Sequence, residues 1–249
     1  MIEADRQARP GPYQAHTPWS AWAAIFGGVG IFCLGIVGAF AVGFVHGVSS
    51  GGRGLSVDPA HFSIWGAILV SEAAMTLGAV WFASWYGGAR WRVLALAFPY
   101  PRARVIAWSF FAVMVAAMVV TFLGLQFAPE LFRQDRSANT AMLVNSAWPA
   151  YAVIAILGAP LAEELLFRGF LQTALARSRI GFLGASLVTT TLWTLVHLQY
   201  SWLGMGWIFA LGLMFCWVLW RTGNLWSTII LHALYNASVV AVIRFGLFE

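Results

Sequence analysis

Val105-Ile106-Ala107-Trp108-Ser109-Phe110-Phe111-Ala112-Val113-Met114-Val115-Ala116-Ala117-Met118-Val119-Val120 carries no charge from end to end. With its neighbours the run extends over about 103–128, and about 20 apolar residues suffice for a helix to cross ~30 Å of hydrocarbon. Backbone groups in lipid have no water to bond, so a spanning segment must be a helix or a closed barrel. An unbroken apolar run lacks the alternation of a barrel strand, so helix is the reading. Six further runs share this character, at about 19–48, 61–86, 148–177, 180–199, 203–221 and 224–247. The chain therefore reads as an all-α, polytopic membrane protein with about seven transmembrane helices.

Composition points the same way. Of 249 residues, 61% are apolar and 9% charged, with a mean hydropathy of +0.79, whereas soluble domains run to about a quarter charged. The net charge of +5 does not indicate nucleic acid, because every basic residue is Arg and they fall singly or in pairs between apolar runs. That is a topology signal. With the N-terminus inside, Arg6, Arg9, Arg90, Arg92, Arg102, Arg104, Arg168, Arg177, Arg179 and Arg221 are cytoplasmic, against Arg53, Arg133, Arg136 and Arg244 outside. The expected orientation is thus N-terminus in the cytoplasm. The Arg-, Gly- and Ala-rich composition suggests a bacterial inner (plasma) membrane.

Residues 1–18, with Glu3, Asp5, Arg6, Arg9 and three prolines, read as a disordered cytoplasmic leader without a cleavable signal peptide. Residues 19–249 are then one membrane domain. Residues 49–54, 87–102 and 129–146 read as connectors, of which 90–98 are expected along the membrane interface. Gly35, Ala39, Gly43 and Gly47 form a ridge of small residues that suits helix packing. Cys33 and Cys216 stand alone and read as small buried hydrophobes.

Ionisable residues within a bilayer are costly, and each is a functional candidate. Glu72, Glu163, Glu164, His197 and His232 qualify, with Arg168 at an edge. Adjacent carboxylates on a helix diverge by about 100°, so Glu163 and Glu164 cannot share a role. Glu164 and Arg168, four apart, can neutralise each other, which leaves Glu163 free to act as a base or acid. His232 and Asn236, also four apart, offer a ring N–H and an amide NH₂ able to hold an oxyanion. Trp193 and His197 share the fifth span's face. If that span and the fourth form a hairpin near 178–180, Glu163 and His197 differ in height by only roughly 3 Å at ~1.5 Å per residue. Each group also has a plain structural reading: an ion cluster for the Glu-Glu-Arg set, interhelical hydrogen bonding for the histidines and Asn236.

Glu-Glu-x-x-x-Arg, aromatic-x-x-x-His and His-x-x-x-Asn, in that order on successive spans, resemble the CAAX protease and bacteriocin-processing family (CPBP, or Abi). The resemblance covers about 148–240 and implies an intramembrane endopeptidase of membrane-associated proteins or peptides. It implies further that Glu163 and His197 activate a water, that His232 and Asn236 stabilise the oxyanion, and that Glu164 and Arg168 support them. Trp193 stands where the family usually has Phe. No cofactor and no nucleic-acid partner are implied. A zinc metallopeptidase is the rival mechanism, although His-Glu-x-x-His is absent. Two non-enzymatic readings stand beside it, a binding or bacteriocin-immunity protein and a proton-coupled transporter. Glu72 belongs to none of the motifs, and Glu72→Gln is expected to leave proteolysis largely intact.

Overall fold

A computed structural model describes residues 13–49, 62–85, 90–97, 101–144 and 148–246. Among them are only helices, turns and extended connectors: α1 (Ala21–Ser49), α2 (Phe62–Trp85), a short α3 (Arg90–Val93), α4 (Ala103–Phe127), α5 (Pro129–Leu143), α6 (Trp148–Ala176), α7 (Gly181–Leu195), α8 (Trp202–Thr222) and α9 (Leu225–Phe245). Six are long and apolar enough to span, and α7 is a shorter apolar helix, in keeping with about seven transmembrane segments.

The centre of the bundle is α6. In its most apolar window 44% of residues are buried, against 17% in those of α1, α2 and α4, so those three present most of their surface outward. The α1–α2 hairpin packs on one side of α6, and α7, α8 and α9 close round the other. Residues Ile154–Gly158 and Glu164–Leu171 of α6 are π-helical. Pro160 has no N–H to offer one turn back, and the backbone widens directly before it. Glu163 is the last residue of the intervening α segment and Glu164 the first of the second π segment. The change of pitch separates the two carboxyls as well as their sequence spacing does.

One end of the bundle gathers Arg90, Arg92, Arg102, Arg104, Arg177, Arg179 and Arg221. Here Arg102 Nη1 donates to the Arg221 carbonyl at 3.2 Å. The segment expected along the interface is instead built into this end. Arg90, Trp91 and Arg92 are exposed, but Val93, Leu94 and Ala95 are buried. Leu94 and Leu225 close over Gly169, and the Ala95 carbonyl receives the Leu225 N–H at 2.8 Å, tying the start of α9. Ala95 adopts a left-handed φ of 55° to do so.

The leader also departs from expectation where it is described; residues 1–12 lie outside the described residues. From Tyr13 the chain is packed rather than loose. The Tyr13 hydroxyl meets Thr173 Oγ1 at 2.6 Å, and Trp19 lies against Phe82 and Phe170. Aromatic burial outweighs the prolines that suggested disorder. Likewise the expected connector 129–146 contains α5, a 15-residue helix opened by Pro129 at its first turn. Its Asp135 accepts from Ser201 N–H at 2.6 Å and Ser201 Oγ at 2.7 Å, and so holds the N-terminus of α8.

The small-residue ridge of α1 is shifted from its reading. Gly35 does abut Ser71 of α2, but Gly43 meets nothing within 4 Å. Cys216, too, is more than a hydrophobe: it is buried, and its Sγ donates to Gln172 Oε1 at 3.2 Å within a polar cluster that includes Ser186.

Candidate active site

Four of the named residues, Glu163, Arg168, His197 and His232, are drawn together by Trp193. Near the C-terminal end of α7, its indole N–H donates to Glu163 Oε2 at 2.6 Å. Its backbone carbonyl receives His197 Nδ1 at 2.8 Å. Its ring stands edge-on to those of His197 (5.1 Å) and His232 (5.6 Å) and lies 4.5 Å beneath the Arg168 guanidinium. Glu163 and His197, expected to lie at similar height, are both bonded to this one residue.

His197 does not sit on a helix. α7 ends at Leu195, and the chain turns through 196–201 before α8, with His197 N–H bonded to the Thr194 carbonyl. Val196 and Leu198 on this turn face outward, while the His197 ring is half-buried against Trp193. A carbonyl only accepts, so Nδ1 carries the ring proton facing Trp193 and Nε2 is left as an acceptor. The half-buried ring therefore presents a basic nitrogen to the site.

Below this pair lies a closed ionic cluster. Glu164 and Arg168 are fully buried, and Glu164 Oε1 accepts from Arg168 Nη1 at 3.0 Å and His232 Nδ1 at 3.1 Å. The mutual neutralisation expected from the i,i+4 spacing is present. The guanidinium also reaches the Gly212 carbonyl at 3.4 Å and lies 5.5 Å from the Phe215 ring centroid. Gly212 is required here, because a Cβ would stand 3.0 Å from Arg168 Nη2 and 2.7 Å from Thr190. His232 is sandwiched between this carboxylate and Phe215, whose ring stacks on it at 4.7 Å. Glu164 therefore fixes the imidazole by one nitrogen and leaves Nε2 for other partners, as a carboxylate does for a metal- or base-type histidine.

Asn236 is engaged differently from its sequence reading. Its Nδ2 donates to the Ala155 carbonyl at 2.7 Å, in the first π segment of α6. One of its two N–H groups is spent on α6, and one remains. The His232 and Asn236 donors are thus each anchored to α6, rather than both being directed to one point.

Zinc would need three ligands from this set. His232 Nδ1 is turned to Glu164, His197 Nδ1 to Trp193 and Glu163 Oε2 to the indole, and no three His, Cys, Asp or Glu side chains gather at ligand distance among the described residues. The two imidazole Nε2 atoms and Glu163 Oε1 are the donor atoms these bonds leave open.

Sequence reasoning missed two contributions. The indole N–H of Trp193 was read only as aromatic character, although its hydrogen-bonding capacity is written in the residue type. Glu72 was left outside, yet α2 packs on α6 and its carboxyl lies beside Gly158, in electrostatic reach of Glu163 and Tyr151. Only the tertiary packing of α2 reveals that neighbour.

Residues 145–238, which include the three paired motifs but not Glu72, match the family described as type II CAAX prenyl endopeptidase Rce1-like. The chain is also 30% identical over 146 residues to the uncharacterized protein YpbD of Bacillus subtilis (strain 168), covering 56% of this chain and 70% of that protein. No solved structure matches it. An apolar helical bundle of this kind, with the three paired motifs on α6, α7 and α9, belongs to the Rce1-like CAAX endopeptidase (CPBP) family of membrane-embedded proteases.

Proposed function

We propose that the protein is an intramembrane glutamic endopeptidase, hydrolysing peptide bonds of membrane-associated substrates with a water activated by Glu163 and His197. The observation that carries this reading is the double grip of Trp193, which holds a carboxylate by its side chain and an imidazole by its backbone. Held in this way, Glu163 Oε1 and His197 Nε2 are both available to a water between them. One of them takes the proton as the water oxygen attacks the scissile carbonyl.

Negative charge then develops on the carbonyl oxygen. His232 Nε2–H and the second N–H of Asn236 serve as its donors, preorganised by Glu164 and the Ala155 carbonyl. Because Nδ1–H is given to Glu164, donation through Nε2 requires the ring's second proton, and the Glu164 carboxylate balances that charge. Arg168 completes the cluster as support. The catalytic core spans about 148–240 of a single membrane domain over 19–249. By the arginine distribution the N-terminus is cytoplasmic, and the membrane is a bacterial plasma membrane.

The test is cleavage of quenched fluorescent peptides, prenylated and unprenylated, by the purified protein, Glu163→Ala and His197→Ala, with and without a strong zinc chelator. Cleavage that survives chelation and is lost in both variants is expected. Chelator-sensitive cleavage restored by zinc would replace the glutamic mechanism with the metal one. Cleavage unaffected by either substitution would remove both residues from the site.

A further inference from the structure

Glu72 lies on α2, outside the residues that match the family. It is 8% exposed, and a carboxyl enclosed at mid-span is retained only for a reason. Its side chain runs to α6 and lies against Gly158 of the first π segment, where a Cβ would overlap Oε2. Bare backbone at 158 is what lets the carboxyl in. The titratable groups that face it are Glu163 and Tyr151. No cation stands among them, since Arg168 is committed to Glu164. No hydrogen bond to Glu72 falls among the described residues. Among the described residues Glu72 forms no ion pair, and the proposed base Glu163 lies within its electrostatic reach.

Resting on the peptidase reading above, we propose that Glu72 is the acid that protonates the leaving nitrogen. Two carboxyls facing one space cannot both carry charge. Glu163 accepts the indole N–H and is assigned the base, so the proton is assigned to Glu72. In the first step the water O–H bond breaks, its proton passes to Glu163 or His197, and the water oxygen bonds the carbonyl carbon. In the second the C–N bond breaks as Glu72 gives its proton to the departing amine. The proton taken from water then returns to Glu72, so one water is consumed and neither carboxyl changes over a cycle. The base comes from the family core, and the acid from a helix beyond it.

Leaving-group dependence separates this role from a structural one. The assay uses the full-length protein in nanodiscs, with one acyl sequence presented both as a peptide amide and as an activated aryl ester. The ester's leaving group needs no proton. Glu72→Gln is expected to lower kcat/KM on the amide by about 10²–10⁴-fold, the usual worth of a general acid, while the ester stays within about threefold. Equal loss on both, or no loss on the amide by a folded Glu72→Gln protein, overturns the proposal. Should Glu72→Gln not fold, the amide-to-ester ratio of Glu72→Asp carries the test: a lowered ratio supports the acid role, an unchanged one overturns it. Glu163→Gln is run alongside and is expected to fail on both substrates. If instead it cleaves normally, the base assignment has failed, which is a different pattern from failure of the acid.

Discussion

Replacing Trp193 by Phe removes one N–H and leaves almost everything else in place. The backbone carbonyl that orients His197 is unaffected, and a phenyl ring can still lie beneath Arg168 and against His232. What is lost is the 2.6 Å bond to Glu163 Oε2. Hydrogen bonds to charged groups contribute about 1.5–3 kcal/mol, and Glu163 is only half-buried, so the lower end applies. About 1.5 kcal/mol corresponds to roughly tenfold in rate. The loss should fall on kcat, because the bond holds the base and not the substrate, with KM close to wild type. The smaller ring leaves a void in a site that is 3% exposed, so the denaturation midpoint should fall by a few degrees while the protein stays folded. Steady-state cleavage of one quenched peptide, with a melting curve in the same detergent, measures both. A folded Trp193→Phe protein with unchanged kcat would refute the argument that the indole positions Glu163. A raised KM at constant kcat would make Trp193 a wall of the substrate pocket instead.

Two further substitutions probe the frame around the site. Arg168→Met leaves the Glu164 carboxylate fully buried without its guanidinium partner, with His232 and Thr228 remaining beside it. Breaking a buried pair in this way costs about 3–5 kcal/mol, and thermal denaturation in detergent should show a large drop or no folded protein. Asp135→Ala removes the acceptor for Ser201 N–H and Oγ at the start of α8. A lost cap costs about 1 kcal/mol, and the expected result is a modestly lowered midpoint with hydrolysis little changed.

The sequence made the bundle legible because spans are declared by apolar length, and each of the seven runs is a helix. It made Glu164–Arg168 legible because i,i+4 neighbours meet on any regular helix. The π segments were hidden: Pro160, which follows the first of them, was visible, but its effect on the faces of α6 was not. That widening turns the Ala155 carbonyl to Asn236, which changed how the proposed oxyanion donors are held. α5 was missed because Pro129, Arg133, Asp135 and Arg136 make it polar, and polarity between spans reads as loop. Glu72 was set aside for a different reason. Motif spacing reports neighbours along a helix, whereas its partner stands on another helix, brought near by the glycine at 158. The proposal above therefore expects a loss from Glu72→Gln where motif spacing alone expects none.

α7 spans 15 residues, about 22 Å at ~1.5 Å per residue, against ~30 Å for an ordinary hydrocarbon core. The bundle is therefore notched on that flank, and lipid beside it must thin or dip to follow the protein's outline. On the peptidase reading proposed above, headgroups and the water they carry would reach the turn that holds His197, and bilayer thickness would become a variable of the chemistry.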